Sequence, residues 1–272
     1  MAFLDERLFS DKSVLSAISL SRLLAIIDGT EIPPAEGARR SHERISSTIE
    51  EGKGISIIGE YKPAYPSMTP LSPPPEPEEA MDAYEGGGLA GVSVLVEPQF
   101  FSGSQKLFSQ FRTGIHLPLL FKDFVVAGEQ IEIASKLGAD AVLLISKVLR
   151  QSSLEKLIGD SQRSGLEPLV EVHDKADIRK LEACGNYDSV RLVGINSRDL
   201  RSMNTDLESM KKLRPILPKD KIVIAESGIG SASDLKALKG FDAALIGSYF
   251  MRSDNVGKAV EEIVSAGRSV PK

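Results

Sequence analysis

The chain has a single cysteine, no excess of basic residues, and no apolar run near the roughly 18 residues that a membrane-spanning helix requires. Each shortage excludes something. Cys184 alone forms no intramolecular disulfide and has no Cys/His cluster around it at metal-ligand spacing, so it reads as a small buried apolar residue. With 33 Lys and Arg against 38 Asp and Glu, the net charge of -5 argues against a general nucleic-acid surface. It leaves room for a local basic pocket and a small anionic ligand. The first ten residues carry Asp5, Glu6 and Arg7 and lack the apolar core of a signal peptide. A cytoplasmic protein without membrane contact is the default expectation.

What is present is an alternating βα pattern in a chain of 272 residues, close to the length an α/β barrel uses as one domain. Eight short segments have strand character: ISIIGEY, GVSVLVE, PLLFKDF, AVLLISK, PLVEV, RLVGIN, IVIAES and AALIGS. Their expected ends are Glu60, Glu97, Lys122, Lys147, Glu171, Asn196, Glu226 and Gly247, recurring every 24 or 25 residues from the second to the sixth. Helical periodicity lies between them, at 76–84, 127–137, 154–163, 175–183, 207–213, 232–239 and 256–266, and more weakly at 104–112. Asp174 and Ser231 stand where N-caps belong. Eight such units predict a closed (β/α)8 TIM barrel over residues 51–272 rather than an open sheet. Residues 1–50 form an N-terminal helical extension, apolar at 14–27 and amphipathic at 37–51, expected to pack on the barrel and cover its bottom. Seven prolines between Pro63 and Pro77 mark a stiff loop after the first strand, expected to line or cover a site.

Residues two apart on a strand share a face, so Glu60 and Lys62 follow Ile58 inward. The same count directs Lys122, Lys147, Glu171, Asn196 and Glu226 toward the barrel mouth. Any one of these is readily a solvated strand end. All of them together are costly in a low-dielectric pocket unless they pair or act on a ligand. Three Lys against three Glu nearly cancel, and such a ring supplies acids, bases and an electrophilic cation. At the last two strands, Ser227, Gly228, Gly247 and Ser248 fall where barrels commonly hold phosphate on backbone N–H groups.

The stretches GEYK, SVLVEPQFFSGS, LLFKDF, AVLLISKVL, EPLVEVHD, GINSRDL, IAESGI and LIGSYFM, in this order, resemble the indole-3-glycerol-phosphate synthase family from about Ile55 onward. That resemblance implies a carboxy-lyase of tryptophan biosynthesis without metal or organic cofactor. Its phosphorylated substrate, 1-(2-carboxyphenylamino)-1-deoxyribulose 5-phosphate, undergoes ring closure with loss of CO₂ and water. It further implies Lys122 as general acid, Glu171 as the group assisting proton removal or dehydration, and Lys62 as partner of the anionic substrate. Glu60, Asn196 and Glu226 would orient and polarise; Phe124, Leu143, Arg198 and Leu200 would hold the anthranilate part. A monomer or weak homo-oligomer is expected, with room for association with other tryptophan-pathway enzymes. The chain departs from the family at Pro63, Ala64 and Tyr65, where a basic residue and a serine are usual. Rival readings are another phosphate-binding barrel, either an aminosugar-phosphate isomerase or a Schiff-base aldolase, and a non-catalytic binding protein.

Overall fold

The computed structural model describes residues 14–29, 38, 40–41, 43–64, 73–198 and 205–271. Eight parallel strands close on themselves in sequence order. They are β1 Ser56–Tyr61, β2 Gly91–Leu95, β3 Leu119–Lys122, β4 Ala141–Ile145, β5 Glu167–Val172, β6 Leu192–Asn196, β7 Ile222–Glu226 and β8 Ala243–Ile246. Closure is completed by β1 pairing with β8, Ile58 beside Leu245. The strands are short and almost wholly buried because their outer faces are covered by helices, which is why they read as continuous apolar runs.

Helices follow the strands much as the periodicity predicts: Pro77–Gly86, Gln105–Gly114, Gly128–Lys136, Gln151–Arg163, Lys175–Glu182, Leu207–Leu213 and Val256–Arg268. Asp174 caps its helix by accepting from the N–H groups of Ala176 and Asp177. Ser231 does not; its hydroxyl donates to Asp234, whose carboxylate also accepts from Gly230 N–H. The helix expected over 232–239 runs only from Ala232 to Leu235 before tightening into a 3-10 turn. Among the described residues no helix is long and apolar enough to cross a membrane.

β1 and β5 run one residue past their expected ends, to Tyr61 and Val172, and three strands stop short of theirs. β2 stops at Leu95, because Glu97 turns back to cap the short helix Pro98–Phe101, accepting from the N–H groups of Gln99, Phe100 and Phe101. β4 stops at Ile145, because Ser146–Val148 winds into a 3-10 turn that breaks the two-residue alternation. β8 ends at Ile246, so Gly247 is the junction to the helix Ser248–Met251.

The N-terminal extension divides between the two ends of the barrel. Helix Ile45–Glu51 lies across the bottom: Thr48 Oγ1 donates to the carbonyl of Ala90, just before β2, and Ser46 donates to Glu167, which opens β5. The amphipathic reading over 37–51 is therefore helical only from Ile45, with Gly37 outside the described residues. Helix Val14–Ile27 packs at the opposite end, a correction to the expectation that the extension covers the bottom. Buried Arg22 donates through Nη2 at 2.6 Å and Nε at 3.2 Å to Asp123 Oδ2, immediately after β3. Ile18 and Leu23 of the same helix are buried beside this pair, so apolar contact and the ion pair both hold it there.

Candidate active site

The strand registers fix which side chains meet. Ile145, Glu171 and Gly194 stand side by side on β4, β5 and β6, and Asn196 stands beside Glu226 on β7. Glu60 shares its inward face with Ser93 of β2, and the register of β3 and β4 sets Lys122 next to Leu143. The inward positions at the carboxyl ends thus gather around one cavity.

At its centre is Lys122. Its Nζ donates to Glu226 Oε2 at 2.8 Å and lies 3.9 Å from both Glu60 Oε2 and Glu171 Oε2. Glu60 also accepts from Lys62 Nζ at 2.5 Å, so the glutamate bridges two lysines. These are nearly enclosed groups: side-chain exposure is 14% for Lys122, 4% for Glu171 and 2% for Glu226. Burial disfavours the Lys122 ammonium, but the three carboxylates outweigh it and raise the pKa above the ordinary lysine value. Burial likewise opposes ionisation of Glu60, and Lys62 and Lys122 reverse it, with Arg198 adding to the lowering. Glu171 and Glu226 part company. Burial acts upward on both; His173 and Lys122 bring Glu171 down, while Glu226 remains raised, with Glu171 adding to the upward pressure. Glu226 Oε1 is buried without a hydrogen-bond partner.

Two glycines make room for these carboxylates. A Cβ on Gly194 would stand 1.9 Å from Glu226 Oε1, and one on Gly247 would stand 2.7 Å from Glu60 Oε1. Gly247, expected at the phosphate, therefore has a second demand on it. Ser227 and Gly228 adopt left-handed backbone, φ 67 and 77, and a Cβ on Gly228 would press on Ser197 Oγ at 2.9 Å. Pairing of β7 with β8 brings this turn beside Gly247 and Ser248.

The remaining expected residues are distributed as follows. Asn196 Oδ1 accepts from Arg198 N–H, shaping the loop after β6, and Arg198 is half-buried there, bridged to Thr205. Phe124 stacks on Phe101 with centroids 6.2 Å apart, and Leu143 is buried one pleat below Ile145. Leu200 and Tyr65 lie outside the described residues. The described parts of the proline-rich loop sit at the rim, with Ala64 N–H donating to Phe101 O and Tyr61 OH donating to Pro75 O.

Lys147 is not in the ring. The 3-10 turn carries it to Asp174, to which its Nζ donates, and its side chain is 38% exposed. Beside the ring instead stands a residue sequence reasoning missed, His173, with Nε2 3.2 Å from Glu171 Oε1 and Nδ1 3.6 Å from Asp177 Oδ2. The signal was available, because His173 lies two residues beyond Glu171 just as Lys62 lies two beyond Glu60. Among the described residues no group of His, Cys, Asp and Glu side chains is arranged to hold a metal ion.

A closed parallel barrel whose carboxyl rim buries a cluster of interlocked acids and bases defines a (β/α)8-barrel enzyme. The family model described as indole-3-glycerol phosphate synthase matches residues 29–263, and the chain belongs to that family. It is 39% identical over 249 residues to the synthase of Carboxydothermus hydrogenoformans, covering 86% of this chain and 93% of that protein. To the Campylobacter jejuni subsp. doylei synthase it is 41% identical over 214 residues, 78% and 81% of the two chains. To that of Geobacillus kaustophilus it is 38% identical over 208 residues, 76% and 80%. Among solved structures it is similar to 3-hexulose-6-phosphate synthase from Salmonella typhimurium, with TM-score 0.61 at 15% identity, covering 78% of this chain and 98% of that one. Thiamine phosphate pyrophosphorylase from Pyrococcus furiosus gives TM-score 0.55 at 17% identity, 78% and 95%. At such identities the likeness carries the fold alone.

Proposed function

We propose that this cavity converts 1-(2-carboxyphenylamino)-1-deoxyribulose 5-phosphate to indole-3-glycerol phosphate, with Lys122 as the acid and Glu171 as the base. The observation that carries the reading is the single ammonium of Lys122 held within 3.9 Å of Glu60, Glu171 and Glu226 at the closed end of the mouth. The ring carbon bearing the carboxylate attacks the ketone carbon, and the carbonyl electron pair collects the proton of Lys122 Nζ. The bond to CO₂ then breaks and returns its pair to the ring. The new hydroxyl leaves as water with a further proton, the anilino nitrogen supplying the electron push. Glu171 removes the remaining C–H proton, and the indole is aromatic.

The charges support these roles. Lys122 is held protonated until substrate arrives. Its grip is loosened where Glu60 is shared with Lys62 and where burial makes Glu226 readier to take up a proton. Glu226, at 2.8 Å, is placed to reload Lys122 for the dehydration. Lys62 and Arg198 face the anionic substrate, Phe124 and Leu143 form the apolar wall, and Asn196 sets the loop that carries Arg198. Ser227, Gly228, Gly247 and Ser248 take the phosphate, the left-handed turn at Ser227 and Gly228 presenting backbone N–H groups. A cytoplasmic location and a monomer or weak homo-oligomer complete the reading. Lys122→Ala should lower turnover by about 10²- to 10⁴-fold in an assay for indole absorbance. Near-normal turnover would remove Lys122 as the acid. A covalent substrate adduct after borohydride would favour Schiff-base chemistry instead.

A further inference from the structure

Glu171 and Glu226 are the same residue type, on strands facing one cavity, both touching Lys122, yet their surroundings differ on the side away from the lysine. Glu226 turns Oε1 toward Gly194 and finds no hydrogen-bond partner. Glu171 turns Oε1 toward His173. The imidazole is enclosed, 8% exposed, and stands between two carboxylates at ion-pair distance, Glu171 on Nε2 and Asp177 on Nδ1, with neither nitrogen in hydrogen-bond geometry. A neutral imidazole has one N–H and one lone pair, and in this position the lone pair would face a carboxylate oxygen whichever tautomer formed. Only the doubly protonated ring turns positive charge toward both.

Asp177 is itself fixed. Its Oδ2 accepts from the backbone N–H of His173 at 3.0 Å, its own N–H donates to Asp174, and its side chain is 2% exposed. Around this pair, the other charged groups are accounted for: Lys122 stands on the far oxygen of Glu171 with Glu226 behind it, and Lys147 and Asp174 close on each other.

Resting on the assignment of Glu171 as the base, we propose that His173 is a positioning residue. Its imidazolium, anchored by Asp177, holds Glu171 in a fixed orientation as a carboxylate, so that the two glutamates at Lys122 divide into a base and a proton store. Burial pushes the His173 imidazolium toward neutrality, but Asp177 and Glu171 overcome it and raise the pKa to about 9, consistent with a ring that stays charged at neutral pH.

The test is kinetic. His173→Ala should lower kcat about 10- to 100-fold with little change in KM, as expected for a misplaced base. It should also move the acid limb of the kcat/KM profile to higher pH, because Glu171 without its cation ionises later. His173→Asn, which keeps an N–H donor without the charge, should recover part of kcat while the limb stays displaced. In a Glu171→Gln background, His173→Ala should cost nothing more. A loss of rate with the limb unmoved and the same loss in the Glu171→Gln background would show a packing role only and overturn the proposal; so would wild-type kinetics in His173→Ala. Nitrogen-15 NMR of the unaltered protein gives an independent check should the variants fold poorly: both ring nitrogens of His173 protonated at pH 7.5 supports the proposal, a neutral ring overturns it. Full activity of Glu171→Gln would remove the base assignment itself. An impaired Glu171→Gln with an indifferent His173→Ala removes only the role of His173.

Discussion

Both ends of this barrel bury charges, and the cluster around Lys122 differs from the ion pairs at the bottom. At the bottom, Asp140 accepts from Arg112 Nη1 at 3.0 Å, Leu119 N–H at 2.8 Å and Ser41 N–H at 3.0 Å, while Arg112 spends its other donors on the carbonyls of Ile115 and Leu117. Lys221 there donates to two carbonyls and lies over the ring of Tyr187. Each of these three described charges has its own partners. At the mouth, three carboxylates share Lys122, one carboxylate oxygen has no partner, and the glutamates press on one another. Charge that is fully matched holds elements in register; charge that is left frustrated is available to a substrate.

That contrast can be broken or sharpened. The largest effect belongs at the mouth: Glu171→Gln should lower kcat by about 10²- to 10⁴-fold in the indole assay while the melting temperature hardly moves. At the bottom the order reverses. Asp140→Ala leaves Arg112 buried without its counter-charge and should cost about 3–5 kcal/mol in chemical denaturation, with kcat per folded molecule unchanged. If Asp140→Ala impaired chemistry as much as stability, the division between the ends would be wrong.

The next effect follows from His173. Its pKa is raised from 6.5 to about 9 on folding, so its stabilisation is complete below pH 6.5 and is lost as pH climbs through about 9. It amounts to at most about 3 kcal/mol. Unfolding free energy of the wild type should therefore decline across that window relative to His173→Asn. The smallest effect has the opposite sense. Glu226 is raised from its ordinary 4.5, so ionising it in the folded protein destabilises as pH rises. Glu226→Gln should match or exceed the wild-type melting temperature at pH 8, and fall closer to it at pH 5, although the variant is impaired.

Much of this was readable before the structure. The barrel is visible because strand ends recur at nearly constant spacing, and Glu60, Lys122, Glu171 and Glu226 are visible because a strand alternates every second residue. Lys147 fails where that alternation fails, in the 3-10 turn after β4. Glu97 fails because a carboxylate next to proline is better used as a helix cap than as the end of a strand. His173 is within reach of the same count, two residues beyond Glu171. The position of helix Val14–Ile27 was not within reach, because it depends on Arg22 meeting a residue 101 positions away.

Gly194 and Gly247 give the reactive centre an unusual origin: two of its carboxylates occupy volume that β6 and the junction after β8 surrender by having only a hydrogen there. The shape of the cavity is thus encoded partly in vacancies. An alanine at either place would keep the barrel closed and yet evict a carboxylate, so sequence drift at these two spots would silence the chemistry long before it threatened the scaffold.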